Sequence, residues 1–181
     1  MPRHIVLWLS ILSISIPLTS IAISIALSSW FSIIDNALSD LGHATRSPVA
    51  PIFNFGLSLG GLLVSIVSAS YLGKAHRILS VGGVLVGYTL ILVAVFDEVY
   101  RNLHFTVSVA FFLSIALMLS IYAYIYKNLP AILALSLGLT AWILHLAYRI
   151  PRGAAIPELI SVIVVIPFYL DLARKIDSSM S

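Results

Sequence analysis

Residues 78–126 read ILSVGGVLVGYTLILVAVF, DEVYRN, LHFTVSVAFFLSIALMLSIYAYIY: two long apolar runs parted by a six-residue polar turn, Asp97 to Asn102. Each run is long enough to cross a hydrocarbon core of roughly 30 Å at about 1.5 Å per residue. Read as helices, the runs form an antiparallel pair whose tip carries Asp97, Glu98, Arg101 and, just inside the second run, His104. The rest of the chain repeats this alternation of long apolar run and short polar connection.

Composition agrees with that reading. Hydrophobic residues make up 60% of the 181 residues and charged residues 9%, with a mean hydropathy of +1.08, whereas soluble domains carry about 25% charged residues. The net charge is +3 and the pI about 9.3, but the ten Lys and Arg are scattered over short connections and form no stripe suited to nucleic acid. They read as topology signals. There is no cysteine, which removes disulfides, thiolate metal sites and cysteine nucleophiles.

The expected fold is an all-α, polytopic membrane bundle forming a single domain over residues 1–181, with spans near 5–28, 52–72, 78–96, 103–126, 130–148 and 154–172 and a polar tail from Ala173. The first apolar run is longer than a cleavable leader's and lacks a small-residue cleavage site after it, so it counts as a span. Between the first two spans, Trp30 to Leu41 places Ile33, Ile34, Ala37, Leu38 and Leu41 on one helical face and Asp35, Asn36, Ser39 and Asp40 towards the other. That pattern predicts an amphipathic interfacial helix capped by Gly42. Ser20, Ser24 and Ser28 on the first span, Gly56, Gly60, Gly61 and Ser65 on the second, and Gly83 and Gly87 on the third recur at four-residue spacing. Such small residues allow helices to approach closely, and predict a tight pair of second and third spans.

Six spans put both termini on one side. That side holds Arg3, Lys74, Arg77, Lys127, Arg174 and Lys175, against Arg46, Arg101, Arg149 and Arg152 on the other. The excess predicts cytoplasmic termini in a cell membrane. Trp30, Tyr100, Trp142 and Tyr148 then form an outer aromatic belt, and Trp8, Tyr71, Tyr126 and Tyr169 an inner one. Asp35, Asp40, Asp97, Glu98 and Glu158, with His43, His104 and His145, all fall at the outer end, which predicts a polar pocket there.

The segment Asn36-x-x-Ser39-Asp40-Leu41-Gly42, the acidic turn Asp97-Glu98, the Asn102-Leu103-His104 opening the fourth span, and the six-span length resemble the membrane family termed domain of unknown function 998. The resemblance covers most of the chain. It implies that Asn36, Ser39, Asp40, Gly42 and His104 stand at the family's recurring positions, and it supplies no reaction.

Three function classes fit these residues. In the first, His43, His104 and His145 ligate a metal such as zinc, with Asp40, Asp97 and His104 as catalytic groups, and a metal-bound water attacks a lipid or lipid-linked ester. No close-spaced ligand motif supports it. In the second, Arg101, Arg149 and Arg152, with Asn36 and Ser39, hold an anionic or lipid ligand for binding or transport. A haem held by His104 and His145 ranks below both, since no same-helix pair of haem histidines is present. In the third, the chain is an accessory subunit, and pairs such as Asp97 with Arg101 or Glu158 with Arg149 only satisfy each other. Expected partners are membrane lipids, other membrane subunits or further copies of the chain, and no nucleic acid.

Overall fold

A computed structural model describes residues 4–180. Among them are six helices long and apolar enough to span a bilayer: α1 (Ile5–Ala26), α2 (Ala50–Ser70), α3 (Arg77–Val95), α4 (Asn102–Tyr126), α5 (Leu129–Tyr148) and α6 (Ala155–Met180). No strand occurs among the described residues. A helix is the form in which an isolated apolar segment satisfies its own backbone donors and acceptors away from water.

Glycine sets how closely the first three helices pack. A Cβ on Gly61 would lie 2.5 Å from the Gly87 carbonyl oxygen, and one on Gly87 would lie 2.4 Å from that of Gly61, so α2 and α3 meet backbone to backbone. The other glycines of α2 face α1, where Gly56 accommodates Ser20 and Gly60 accommodates the Pro17 ring. The small residues thus serve two interfaces, of which only the α2–α3 pair follows directly from the sequence spacing.

α6 is longer than expected. The predicted polar tail continues the helix to Met180, with Ala173 and Ile176 buried in the core. Asp177 then accepts hydrogen bonds from the backbone N–H groups of Val6 (3.2 Å) and Leu7 (2.9 Å). It thereby joins the end of α6 to the first turn of α1, where unpaired donors favour a carboxylate.

The interfacial helix over Trp30–Leu41 is not formed. That stretch is a series of turns leading into a short 3-10 helix, Leu38–Gly42. The cause is side-chain competition for the backbone: Asn36 Oδ1 accepts from Ser32 N, and Asp40 Oδ2 accepts from Ala37 N and from Asn36 Nδ2. The turns are further held from outside. Gly153 N donates to Ile34 O (2.7 Å), Ala155 N donates to Asn36 O (3.0 Å), and Arg152 pairs with Asp35 (2.6 Å). Two aromatic expectations also change. Tyr169 is buried and lies 3.4 Å from the Ser13 hydroxyl, and Trp142 turns inward to donate to Ser161 Oγ (2.9 Å), so neither belongs to an aromatic belt.

Candidate functional site

The loop before α2, the α3–α4 turn and the α5–α6 loop gather at one end of the bundle, the end that the sequence marks as polar. Asp97 ties two of them together, since Oδ1 accepts from Val99 N (2.8 Å) to cap the short 3-10 helix Glu98–Tyr100, and Oδ2 accepts from Ala44 N (3.3 Å). Below them lies a cavity of about 590 Å³ between α4, α5 and α6. Ser39, Glu98, Arg101, His104, Arg149 and Glu158 line its polar part. Towards the bilayer centre the wall becomes apolar, with Phe112, Leu119, Leu135 and Val164 among its residues. A smaller cavity of about 140 Å³, walled by α1, α2, α3, α4 and α6, shares Ser39, Ser108, Phe112, Ile115 and Glu158 with it. The space exists because α5 packs loosely, with only Ala131, Gly138 and His145 buried.

His104 is the centre of the polar part. It is 5% exposed, and its Nδ1 lies 2.7 Å from Phe96 O. A carbonyl only accepts, so Nδ1 carries a proton and Nε2 faces the remaining partners. Nε2 lies 3.4 Å from Glu98 Oε1 and 3.2 Å from Ser108 Oγ. Glu98 Oε1 in turn accepts from Ser39 Oγ at 2.7 Å. A connected row of Ser39, Glu98, His104 and Ser108 therefore crosses the cavity wall. His145 is oriented in the same manner, with Nδ1 donating to Pro151 O at 2.9 Å and its ring edge-on to Trp142.

The arginines are notable for what they do not touch. Among the described residues neither Arg101 nor Arg149 forms an ion pair, and the expected pairs Asp97–Arg101 and Glu158–Arg149 are absent. Asp97 is occupied by backbone donors, and Glu158 Oε2 accepts from Leu38 N at 2.7 Å. Both arginines are exposed at the cavity mouth and both have positive φ, 46° and 57°.

Of the residues singled out in the sequence, the fold brings Ser39, Arg101, His104, His145 and Arg149 to one cavity. Asn36, Asp40, His43 and Asp97 do not line it. The first two hold the turns of the loop before α2, and His43 Nδ1 lies 3.4 Å from Thr45 Oγ1. The three-histidine metal set is thus not assembled, because His43 is held in the loop while the other two face the cavity. Among the described residues no group of three or more His, Asp or Glu could hold a metal ion. Haem ligation by His104 and His145 fits no better, since Ser108 and Glu98 already occupy the free edge of His104.

The sequence assigns Ser108 no role, places Trp142 in an aromatic belt, and puts Glu98 at the polar end without a role of its own. The spacing His104-x-x-x-Ser108, one helical turn, was the available signal for the first, and Trp142-x-x-His145 for the second. Glu98 needed the loop before α2 to be folded onto it.

No curated protein and no solved structure matches the chain. Its residues 11–174 match the family described as Protein of unknown function (DUF998), and with the six apolar helices and the polar loop end in view, the chain belongs to that family.

Proposed function

We propose that this membrane protein binds an amphiphile with an anionic head group, a lipid or lipid-linked molecule, in the cavity between α4, α5 and α6. The observation that carries this reading is the pair of arginines without carboxylate partners at the polar mouth of a cavity whose deeper wall is apolar. A guanidinium offers a planar fork of donors matched to phosphate or carboxylate, and the apolar wall suits acyl or isoprenoid chains. The termini are cytoplasmic in this proposal, and the cavity mouth lies at the outer leaflet of the cell membrane.

The test is lipid retention. Native mass spectrometry of the detergent-purified protein, supplied with phosphatidylglycerol, is expected to show bound lipid that the double variant Arg101→Gln, Arg149→Gln loses by about tenfold or more, from the loss of two charge-assisted contacts. Arg152→Gln, which disturbs the Asp35 pair outside the cavity, serves as control. Equal retention by the double variant and the wild type would remove the reading.

A second reading, hydrolysis of a bound ester, is favoured by one observation. Ser114, Ser120 and Thr106 of α4 donate to carbonyls three or four residues back, whereas Ser108 turns to His104 Nε2. That is the arrangement in which Ser108 Oγ attacks an ester carbonyl while Nε2 takes its proton and later returns it to the leaving alcohol. Labelling of the wild type by a fluorophosphonate probe, absent in Ser108→Ala, is the expected result if the site is hydrolytic.

A further inference from the structure

Glu158 is 8% exposed, sits at the junction of the two cavities, and has no cationic partner among the described residues. Its position in the first turn of α6 and the Leu38 N–H at 2.7 Å favour a negative charge there, whereas burial away from water opposes it, so a bound cation is what the charged form lacks. The Leu38 donor engages only Oε2. Aromatic rings stand on the same cavity wall. Trp142 is held to α6 through Ser161, one helical turn from Glu158, and its ring is tilted 55° against Phe112 at a centroid separation of 4.9 Å. A buried carboxylate and two aromatic rings lining one cavity are the groups that recognise an ammonium, by charge and by attraction to a ring face.

We infer that the cavity has two oppositely charged subsites, Arg101 and Arg149 for a phosphate and Glu158 with Trp142 and Phe112 for an ammonium, so that its ligand is a zwitterionic amphiphile bearing both groups. The inference rests on the anionic-head-group reading above and narrows it. The charge arrangement supports it from both sides. Glu98 accepts from the Ser39 hydroxyl and lies 3.4 Å from His104 Nε2, whereas Glu158 is met by a single backbone donor and by no lysine or arginine among the described residues. A phosphodiester joined to an amine carries the complementary pair of charges within one head group.

The experiment changes the ligand before it changes the protein. Wild-type protein in detergent is offered phosphatidylethanolamine, the same lipid N-acetylated on its amine, and phosphatidylglycerol, with bound lipid read by native mass spectrometry. The expected result is a preference of about tenfold for the free amine over the acetylated amine, the scale of one charge-assisted contact. Glu158→Gln should bring that ratio to about one. A wild-type ratio near one overturns the ammonium subsite, even while phosphatidylglycerol is retained. Failure to retain any of the three lipids would instead remove the underlying anionic-head-group reading. The wild-type ratio decides without the variant, so loss of folding in Glu158→Gln leaves the test intact. Displacement of phosphatidylethanolamine by soluble glycerophosphoethanolamine at similar concentration would support the paired subsites and assign them to a water-soluble ligand.

Discussion

Arg101 adopts φ 46° and ψ −104°, a backbone region suited to glycine. A side chain there costs on the order of 1–3 kcal/mol. It forms no ion pair among the described residues that would offset the cost. The conformation turns the chain from the short 3-10 helix into α4 and leaves the guanidinium at the cavity mouth. Arg101→Gly should therefore raise the thermal unfolding temperature in detergent while lowering retention of anionic lipid. A fall in both would mean that the side chain holds the turn rather than the ligand. Arg101→Lys keeps the charge without the planar fork, so its retention should fall between glycine and wild type. Asn36 and Asp40 teach the opposite lesson. Their polarity was plain in the sequence, but their atoms serve the turns around them.

At the scale of elements, two contacts decide how the helices are joined. The first is the backbone-to-backbone approach of α2 and α3. Gly87→Ala would put a Cβ within 2.4 Å of the Gly61 carbonyl oxygen, and backbone cannot yield as a flexible side chain can. The overpacking should cost about 1–3 kcal/mol. Gly82→Ala on the same helix meets nothing nearer than Met118 at 3.7 Å and should be neutral or stabilising, by up to about 1 kcal/mol. Thermal unfolding of the two variants, compared side by side, checks the contrast. The second contact is Asp177 at the start of α1. Removing a carboxylate that accepts from two first-turn donors should cost about 0.5–2 kcal/mol, so Asp177→Ala is expected to unfold at a lower temperature. Its α1 amides should also exchange hydrogen faster near Val6 and Leu7.

For the whole molecule, the testable property is orientation, and single cysteines report it cleanly because the chain has none of its own. Thr45 and Lys127 are exposed at opposite ends of the bundle. With cytoplasmic termini, Thr45→Cys should react with a membrane-impermeant maleimide in intact cells, and Lys127→Cys only after lysis. The reverse pattern would turn the protein over and put the cavity mouth on the cytoplasmic side. The excess of basic residues at the termini end favours the first outcome.

Apolar run length alone determined the six spans, because hydrocarbon admits a lone segment only with its backbone bonded within itself. It also determined which connections gather at one end, since alternating spans leave the chain no choice of side. The four-residue spacing of Gly61, Ser65, Gly83 and Gly87 carried the α2–α3 pairing, because helical periodicity puts such residues on one face. The loop before α2 was decided by tertiary structure. Its apolar spacing suits a helix, but Asn36 and Asp40 bond the backbone, and residues more than a hundred positions away bond it too, Gly153 and Ala155 as donors and Glu158 as acceptor. The site was decided in the same way. Polar residues at one bilayer depth cannot reveal which face each other, so the separation of Asp40, His43 and Asp97 from His104, His145 and Glu158 appears only when the helices pack and leave a cavity beside α5.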